Sequence, residues 1–493
     1  MKLTKMKLAI ISVLGFSLST SALAIDLYMD SETKQLFAED GPGRIKLGTF
    51  EKVEEKTKQN EEMAEIRNDL KNKEKDFKEL EQNVVAVREA NAKNDEKWFN
   101  KINLRGYTQL RYNQKLTGDR VAGQPELRSD QGDKSIRDNS NFSFRRVRLV
   151  FSGDINEYVS LYIQPDFATT NGDQNFAQLR DAYADLAFDK SHEYRIRAGQ
   201  SKVPFGWENL QSSQNRLSLD RADALNSAVP SERDLGLFAY WSPTHVQKLW
   251  KDLSLKGLKT SGDYGVLGFG VYNGQSLNKD EQNDDLYMVA HATYPIELDF
   301  LGSTFNGQVL EIGADAISGK FNVNSLSKYT TSDGIVRTSA PKQDKKGNSE
   351  DRAAIHAILF PQPFGFQAEW NWGKGPALNV EDNIIERKSL RGGYVQAMYK
   401  IDKVLGTQGT LIPFIKWQHY DGPHKGAANA AYTHVEEIDF GFEWQMMKAL
   451  ELVMTYTMMD RTNTVNSVRS DGTSDFLGQA SGDLLRTQLQ WNY

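Results

Sequence analysis

The stretch from Phe142 to Gly153 reads FSFRRVRLVFSG, with apolar and polar side chains at alternate positions. One face of this segment is apolar and the other is polar, with Val147, Leu149 and Phe151 set against Arg146, Arg148 and Ser152. Successive side chains of a strand point to opposite faces, so this separation suits a strand between lipid and water. A soluble sandwich would bury the apolar face instead. The stretch therefore predicts a strand of a transmembrane β-barrel.

Similar segments recur from Lys101 to the C-terminus. We count about sixteen, each near the ~9–11 residues that a tilted strand needs to cross the hydrocarbon layer. They are predicted to begin near Ile102, Phe142, Tyr158, Leu179, Tyr194, Leu235, Tyr264, Asp285, Asn306, Asp351, Phe364, Leu390, Gly409, Glu437, Leu450 and Asp483. Short and long connections mostly alternate, although residues 242–263 are long where a short turn is expected. Residues 101–493 are thus predicted to form an all-β, antiparallel transmembrane barrel.

Both ends of the chain indicate export to a bacterial outer membrane. Lys2, Lys5 and Lys7 precede an apolar run and then Ala22-Leu23-Ala24, which is the pattern of a cleaved signal peptide over residues 1–24. At the other end, apolar and aromatic residues fill alternate positions up to Tyr493, as in the terminal strand recognised during barrel assembly. The chain has no cysteine, so disulfides cannot stabilise it after export.

Between the signal and the barrel, a charged segment over residues 51–97 lacks Gly and Pro. Apolar residues recur in it at three-four spacing, namely Met63, Ile66, Leu70, Phe77, Leu80, Val84 and Val87. The spacing predicts an α-helical coiled coil in the periplasm, and a lone amphipathic helix is the alternative. Residues 25–50 contain Gly41-Pro42-Gly43 and are predicted to form a short hairpin of unassigned function.

Composition and motifs weigh against several other classes of protein. The net charge of −6 argues against a general nucleic-acid binder. The seven histidines are scattered, and the sequence has no His-Glu-x-x-His, Cys-x-x-Cys or Gly-x-Ser-x-Gly motif. We therefore expect no enzymatic activity, no cofactor and no metal.

Several motifs between residues 142 and 240 resemble the phosphate-selective porins O and P. The resemblance rests on Arg145-Arg146-Val147-Arg148, Asp166-Phe167-Ala168, Leu179-Arg180-Asp181-Ala182-Tyr183, Arg197-Ala198-Gly199-Gln200-Ser201-Lys202-Val203-Pro204-Phe205-Gly206, Ser212-Ser213, Arg216, Asp220-Arg221 and Arg233-Asp234-Leu235-Gly236. It implies a sixteen-stranded outer-membrane porin, assembled as a homotrimer in the lipid of a Gram-negative outer membrane. Each subunit would carry small solutes and ions through its own water-filled pore, with phosphate as a candidate solute.

The resemblance also implies that the third external loop, Val203 to Asp234, folds inward and narrows the pore. Basic residues near it and along the lumen would attract anions because low-dielectric walls focus the field of unpaired charges. The candidates near the loop are Lys202, Arg216, Arg221 and Arg233, and those on lumen-facing strand positions are Arg146, Arg148, Arg195 and Arg197.

Acidic residues in the same loop leave the selectivity of the pore open. Carboxylates outnumber arginines in this loop. The acidic residues are Glu208, Asp220, Asp223, Glu232 and Asp234. If Asp220 pairs with Arg221, or Asp234 with Arg233, the positive field largely cancels. Two readings therefore stand beside phosphate selectivity. One is a general porin, and the other is an outer-membrane tether with a periplasmic coiled coil and a non-conducting barrel.

Overall fold

The computed structural model describes residues 24–50, 53–95, 97–118, 136, 140–168, 177–331, 334–404, 409–463, 465–467 and 479–493. The predicted signal peptide up to position 23 and most of the first external loop lie outside these residues. The chain divides into two compact units, Met1–Asn94 and Asp95–Tyr493. None of the helices in the described ranges is long and apolar enough to cross a membrane.

The N-terminal unit contains a small sheet and one long helix. Ile25–Asp30 pairs antiparallel with both Leu36–Phe37 and Arg44–Phe50, so the predicted hairpin is a three-stranded sheet. Helix α1, Val53–Asp95, follows and has 43 residues. The helix predicted for this segment is confirmed, whereas its pairing with another copy stays a prediction.

The second unit is a closed antiparallel barrel. Its strands are β1 Asn103–Lys115, β2 Asn141–Asn156, β3 Val159–Asp166, β4 Gln178–Ala187, β5 Tyr194–Lys202, β6 Arg233–Trp241, β7 Leu267–Tyr272, β8 Tyr287–Glu297, β9 Val309–Phe321, β10 Asn348–Leu359, β11 Phe364–Asn379, β12 Ile384–Tyr399 continued by Ile401–Asp402, β13 Thr410–Pro423, β14 Tyr432–Met447, β15 Leu450–Asn463 and β16 Gln479–Asn492. Each strand pairs with its sequence neighbours, and β16 closes the ring against β1. The predicted barrel of about sixteen strands is confirmed.

The alternation seen in the sequence corresponds to the two faces of the barrel wall. In β2, Arg146 and Arg148 point into the barrel and are buried, whereas Phe151 is 38 % exposed on the outside. Leu237 on β6 and Phe269 on β7 are also exposed on the outer face. Apolar side chains thus face outward and polar ones face inward, the reverse of a soluble protein and the arrangement of a barrel in lipid.

The connections make the two ends of the barrel different. The end near Asn103 and Tyr493, called the turn end here, carries short turns such as residues 157–158, 360–363 and 448–449. The opposite loop end carries longer connections, two of which meet in a small sheet formed by Tyr329–Thr331, Val336–Arg337 and Val465–Ser467. The connection after β6, which the sequence indicated to be long where a short turn is expected, contains helix α4, Thr244–Leu255. Short 3-10 turns lie at Trp98–Lys101, Asp299–Leu301, Ser303–Phe305 and Ala428–Ala430.

Candidate functional site: the loop folded into the barrel

The loop between β5 and β6, residues 203–232 and called L3 here, folds into the barrel. It contains two short helices, α2 Trp207–Leu210 and α3 Asp223–Ala228. Phe205, Ala222 and Ala224 are fully buried although they belong to an external loop. The inward fold expected for this segment is therefore confirmed.

Carboxylates on the far wall hold the start of L3. Asp315 on β9 accepts a hydrogen bond from the Gly206 amide at 3.0 Å. Glu369 on β11 accepts two, from the amides of Trp207 at 2.8 Å and Glu208 at 3.0 Å. Gly206 has φ 84°, and an added Cβ would lie 2.8 Å from the Glu369 carboxylate, so only glycine fits this approach.

The second half of L3 is bound to the wall at further strands. The Asp223 amide donates to the Gln418 side chain on β13 at 2.9 Å. Arg352 on β10 donates to the hydroxyl of Ser227 at 2.7 Å and to its carbonyl at 3.0 Å. These bonds fix L3 across the lumen rather than along one side of it.

Asp220 in L3 is surrounded by arginines from the wall. Its carboxylate lies 3.2 Å from Arg111 on β1, 2.5 Å from Arg486 on β16 and 3.7 Å from Arg145 on β2. Burial alone would raise the pKa of Asp220, but these guanidinium groups hold it well below its usual range. Asp220 therefore stays ionised and does not pair with its neighbour Arg221, which corrects the first pairing considered from the sequence.

Glu232, at the end of L3, is the centre of a second arginine cluster. Arg216 lies 2.5 Å and Arg221 3.1 Å from its carboxylate, Arg180 lies 4.0 Å away, and Arg233 also contacts it. Burial would raise the pKa of Glu232, but Arg216 and the other cations keep it well below its usual range.

The second pairing considered from the sequence, Asp234 with Arg233, is also corrected by the geometry. Arg233 contacts Asp181 on β4 at 3.0 Å and also reaches Glu232. Asp234 instead accepts backbone hydrogen bonds from Leu235 at 2.8 Å and Ser276 at 2.9 Å. The cluster thus contains four arginines and two carboxylates among the described residues.

The remaining predicted site residues lie on β2 and β5. Arg148 pairs with Asp166 at 2.7 Å, Arg197 with Asp185 at 2.7 Å and Arg195 with Asp263 at 2.8 Å. The first two pairs join neighbouring strands of the wall, and the third joins β5 to the connection between β6 and β7.

Lys202 donates to three L3 carbonyl groups instead of a carboxylate. The acceptors are the carbonyl oxygens of Asn209 at 2.9 Å, Leu210 at 3.1 Å and Gln211 at 2.7 Å. Its ammonium group therefore fixes the start of the loop to the end of β5.

Arg146 differs from the other six predicted arginines, each of which contacts a carboxylate. It is 5 % exposed and faces the lumen, and one of its terminal nitrogens donates to the side-chain oxygen of Gln109 at 2.8 Å. Its Nε has no hydrogen-bond partner, and no carboxylate of the described residues lies within ion-pair distance of it. A buried guanidinium without a carboxylate at ion-pair distance is costly, so the position favours an anion.

Sequence reasoning missed Arg111, Arg145, Arg180 and Arg486, all of which belong to the two clusters. Arg111 and Arg486 fall on lumen-facing positions of β1 and β16, so the same alternation that selected Arg146 could have found them. Arg145 and Arg180 lie where the strand register shifts, and a bulge hides the facing of its residues from simple alternation.

The barrel with apolar outer wall and an inward-folded loop defines a membrane channel. The model of the family "Phosphate-selective porin O and P" matches residues 125–493, three quarters of the chain, and the chain belongs to this family. The protein is therefore a porin of the outer membrane, with a channel for ions and small solutes. No curated protein matches the sequence significantly.

Several solved structures are similar to the chain at low identity. DcaP, an outer-membrane channel of Acinetobacter baumannii, has 14 % identity, a TM-score of 0.46 and coverage of 80 % of this chain and 97 % of its own. OmpF of Salmonella typhi in complex with daunomycin has 14 % identity and a TM-score of 0.47, and the match covers 80 % of this chain and 97 % of OmpF. An anion-selective porin from Comamonas acidovorans has 10 % identity and a TM-score of 0.42, and the match covers 80 % of this chain and 99 % of that porin.

Proposed function

We propose that this porin prefers anions, phosphate among them, and that Arg146 is the principal contact of the anion in the lumen. The observation that carries the proposal is the buried guanidinium of Arg146, which has an unused Nε donor and no carboxylate partner among the described residues. A guanidinium presents a planar fork of donors that matches the oxygens of a phosphate or carboxylate.

The cluster around Glu232 supports the same preference. Four arginines share two carboxylates there, so the region keeps a positive excess even though every member has a partner. We infer that this excess raises the local concentration of anions along L3, while Arg146 supplies the direct contact.

The test is the reversal potential of single channels under a salt gradient. Replacement Arg146→Gln should lower the anion-to-cation permeability ratio by up to about fivefold, because a unit charge at ~4 Å in water contributes about 1 kcal/mol. Arg146→Lys, which keeps the charge, should retain most of the ratio. The ratio should also fall between 0.1 M and 1 M salt, where the Debye length shrinks from ~10 Å to ~3 Å.

The matched control is Arg387→Gln. Arg387 is an exposed arginine that pairs with Asp351 on the outer face of the barrel, so its loss should leave the ratio unchanged. A cation-selective wild-type channel, or equal effects of the two glutamine variants, would contradict the assignment of Arg146. An absence of conductance in every preparation would favour the tether instead.

We also propose that the subunits assemble as a homotrimer and that α1 takes part as a coiled coil. In the single chain its seam is exposed, with Leu70 at 57 %, Phe77 at 63 % and Leu80 at 61 %. A seam of apolar side chains at three-four spacing is buried when the helix pairs with another helix. The family supports three copies, a number that the spacing alone does not fix.

Export is the last part of the proposal. We infer that the signal peptide is removed after Ala24 and that the mature chain begins at Ile25. The intact mass of the protein extracted from outer membranes should equal that of residues 25–493. A mass that includes residues 1–24 would contradict cleavage at this position.

A further inference from the structure

The connection between β6 and β7, residues 242–266 and called the turn-end insertion here, is long at the end of the barrel where other connections are short. Helix α4 forms its first half and would span ~18 Å at 1.5 Å per residue. Val246, Trp250 and Leu253 recur at four and three positions along one face of the helix and are 1 %, 4 % and 0 % exposed. The helix therefore packs against the barrel rather than projecting from it.

The turn-end insertion reaches the opposite wall of the barrel. The ammonium group of Lys259 lies 2.8 Å from Glu443 on β14 and 3.1 Å from Glu451 on β15. In a closed ring of sixteen strands, β14 is eight strands from β6, where the insertion begins. Since positions eight strands apart in such a ring lie across a diameter, the insertion crosses the mouth of the lumen.

Both attachments of the insertion are charged, and the one at the far wall is largely buried. Lys259 is 10 % and Glu443 is 1 % exposed at the far wall, and on the return path Asp263 pairs with Arg195 on β5 at 2.8 Å. Burial would lower the pKa of Lys259, but Glu443 and Glu451 raise it, so the cation that holds the crossing stays charged.

The insertion also contacts L3. The carboxylate of Glu311 on β9 accepts hydrogen bonds from two indole groups, that of Trp207 in L3 at 3.0 Å and that of Trp250 in α4 at 2.9 Å. Nearby, the Gln211 side chain of L3 donates to the Lys259 carbonyl at 2.7 Å. Two chain segments that lie across the lumen are thus stacked and linked.

We propose that the turn-end insertion is a second constriction of the pore, in series with L3. A solute that has passed L3 must then pass the insertion before it leaves at the turn end, so the insertion limits conductance and the size of solute that can cross. This role is separate from the anion preference, which the arginines around L3 carry.

Removal of the insertion tests the proposal directly. Ser242 donates to Asp263 at 2.6 Å, so the two ends of the segment are adjacent and residues 244–261 can be replaced by four Gly and Ser residues. Two comparable constrictions in series predict a rise of roughly 1.5- to 2-fold in single-channel conductance. If Glu443 and Glu451 are changed to Gln in the same variant, so that the loss of Lys259 leaves no unpaired carboxylate there, the anion-to-cation ratio should change much less. An unchanged conductance in a correctly folded barrel would overturn the proposal.

A single cysteine gives a second test in the otherwise intact protein. The chain has no native cysteine, so Ser254→Cys on the exposed side of α4 can be modified selectively by a bulky thiol reagent. Modification should lower conductance in a single step, and reduction should restore it. The control is Ser303→Cys, an exposed serine at the same end of the barrel but outside the insertion, where modification should have no effect. Equal responses, or none at either site, would place the insertion outside the conduction path.

Discussion

At the scale of single residues, L3 is held in a conformation that local preferences oppose. Ser231 and Glu232 have φ of 65° and 73°, a region that residues other than glycine seldom adopt. Such a conformation costs roughly 1–3 kcal/mol per residue and persists only where surrounding contacts impose it. The four arginines around Glu232 provide those contacts. The arginine cluster and the loop conformation therefore depend on each other.

Asp223, at the start of α3, should make the selectivity of the pore depend on pH. Burial raises its pKa, and although Arg461 at 2.8 Å opposes this, Glu437 adds to it. Asp223 thus becomes neutral at a higher pH than Asp220 or Glu232, whose pKa values are lowered. As the pH falls toward the usual aspartate value of about 4, loss of this negative charge should raise the anion preference.

The check is a series of reversal potentials from neutral to acidic pH in the wild type and in Asp223→Asn. The variant has no charge to lose at this position, so its anion preference should start higher and change less. Glu208→Gln is a matched control on another L3 carboxylate. An identical pH profile in wild type and Asp223→Asn would exclude Asp223 as the titrating group.

At the scale of elements, alternation predicts the strands well where they cross lipid and less well beyond it. The predicted starts at Tyr194, Phe364 and Leu450 agree with the structure. In contrast, β12 begins at Ile384 rather than near Leu390. Its first residues include three consecutive charged side chains, Glu386 to Lys388, and a strand that extends beyond the lipid need not alternate apolar and polar residues. The inward fold of L3 came from family resemblance, since no local pattern places a loop inside a barrel.

Helix α4 shows the opposite limitation. The sequence contains its apolar residues at three-four spacing, but sequence analysis predicted only a connection of unexpected length there. The contact of Lys259, four residues after α4, with Glu443 joins residues far apart in the chain, and single-sequence patterns carry no information on such pairs. The second constriction therefore could not be predicted from sequence.

The anchor of L3 on β11 predicts a measurable effect on channel noise. Glu369→Ala removes the acceptor of two backbone hydrogen bonds, and each buried amide left without a partner costs about 1–3 kcal/mol. L3 should then sample more positions, which increases open-channel current noise. Gln367→Ala is the control because it lies two residues away on the same lumen-facing side and bonds only to Gln396 at 3.2 Å among described partners. Equal noise in both variants would show that Glu369 does not fix the loop.

At the scale of the whole molecule, net charge and pore charge are different quantities. The chain carries −6 overall, yet the buried clusters at L3 contain more arginines than carboxylates among the described residues. The ion pairs that decide this join distant segments, such as Arg486 with Asp220. Composition argues against a general nucleic-acid binder, but it could not predict the sign of the field in the lumen.

The N-terminal unit predicts that assembly and conduction are separable. Leu70→Asn with Leu80→Asn places two amides in the apolar seam of α1, and each leucine lost from a paired seam should cost roughly 2 kcal/mol or more. The trimer extracted in mild detergent should dissociate at lower temperature, as followed by chemical crosslinking and native mass. Lys71→Asn with Glu81→Asn changes the adjacent positions and should leave the trimer intact, because exposed charges outside the seam contribute little.

Conductance per barrel should be the same in both double variants, since the ladder of β16 against β1 closes each pore without α1. Crosslinking that detects only monomer in the wild type would contradict the trimer itself, whereas an unaffected trimer in the leucine variant would assign assembly to the barrel wall alone.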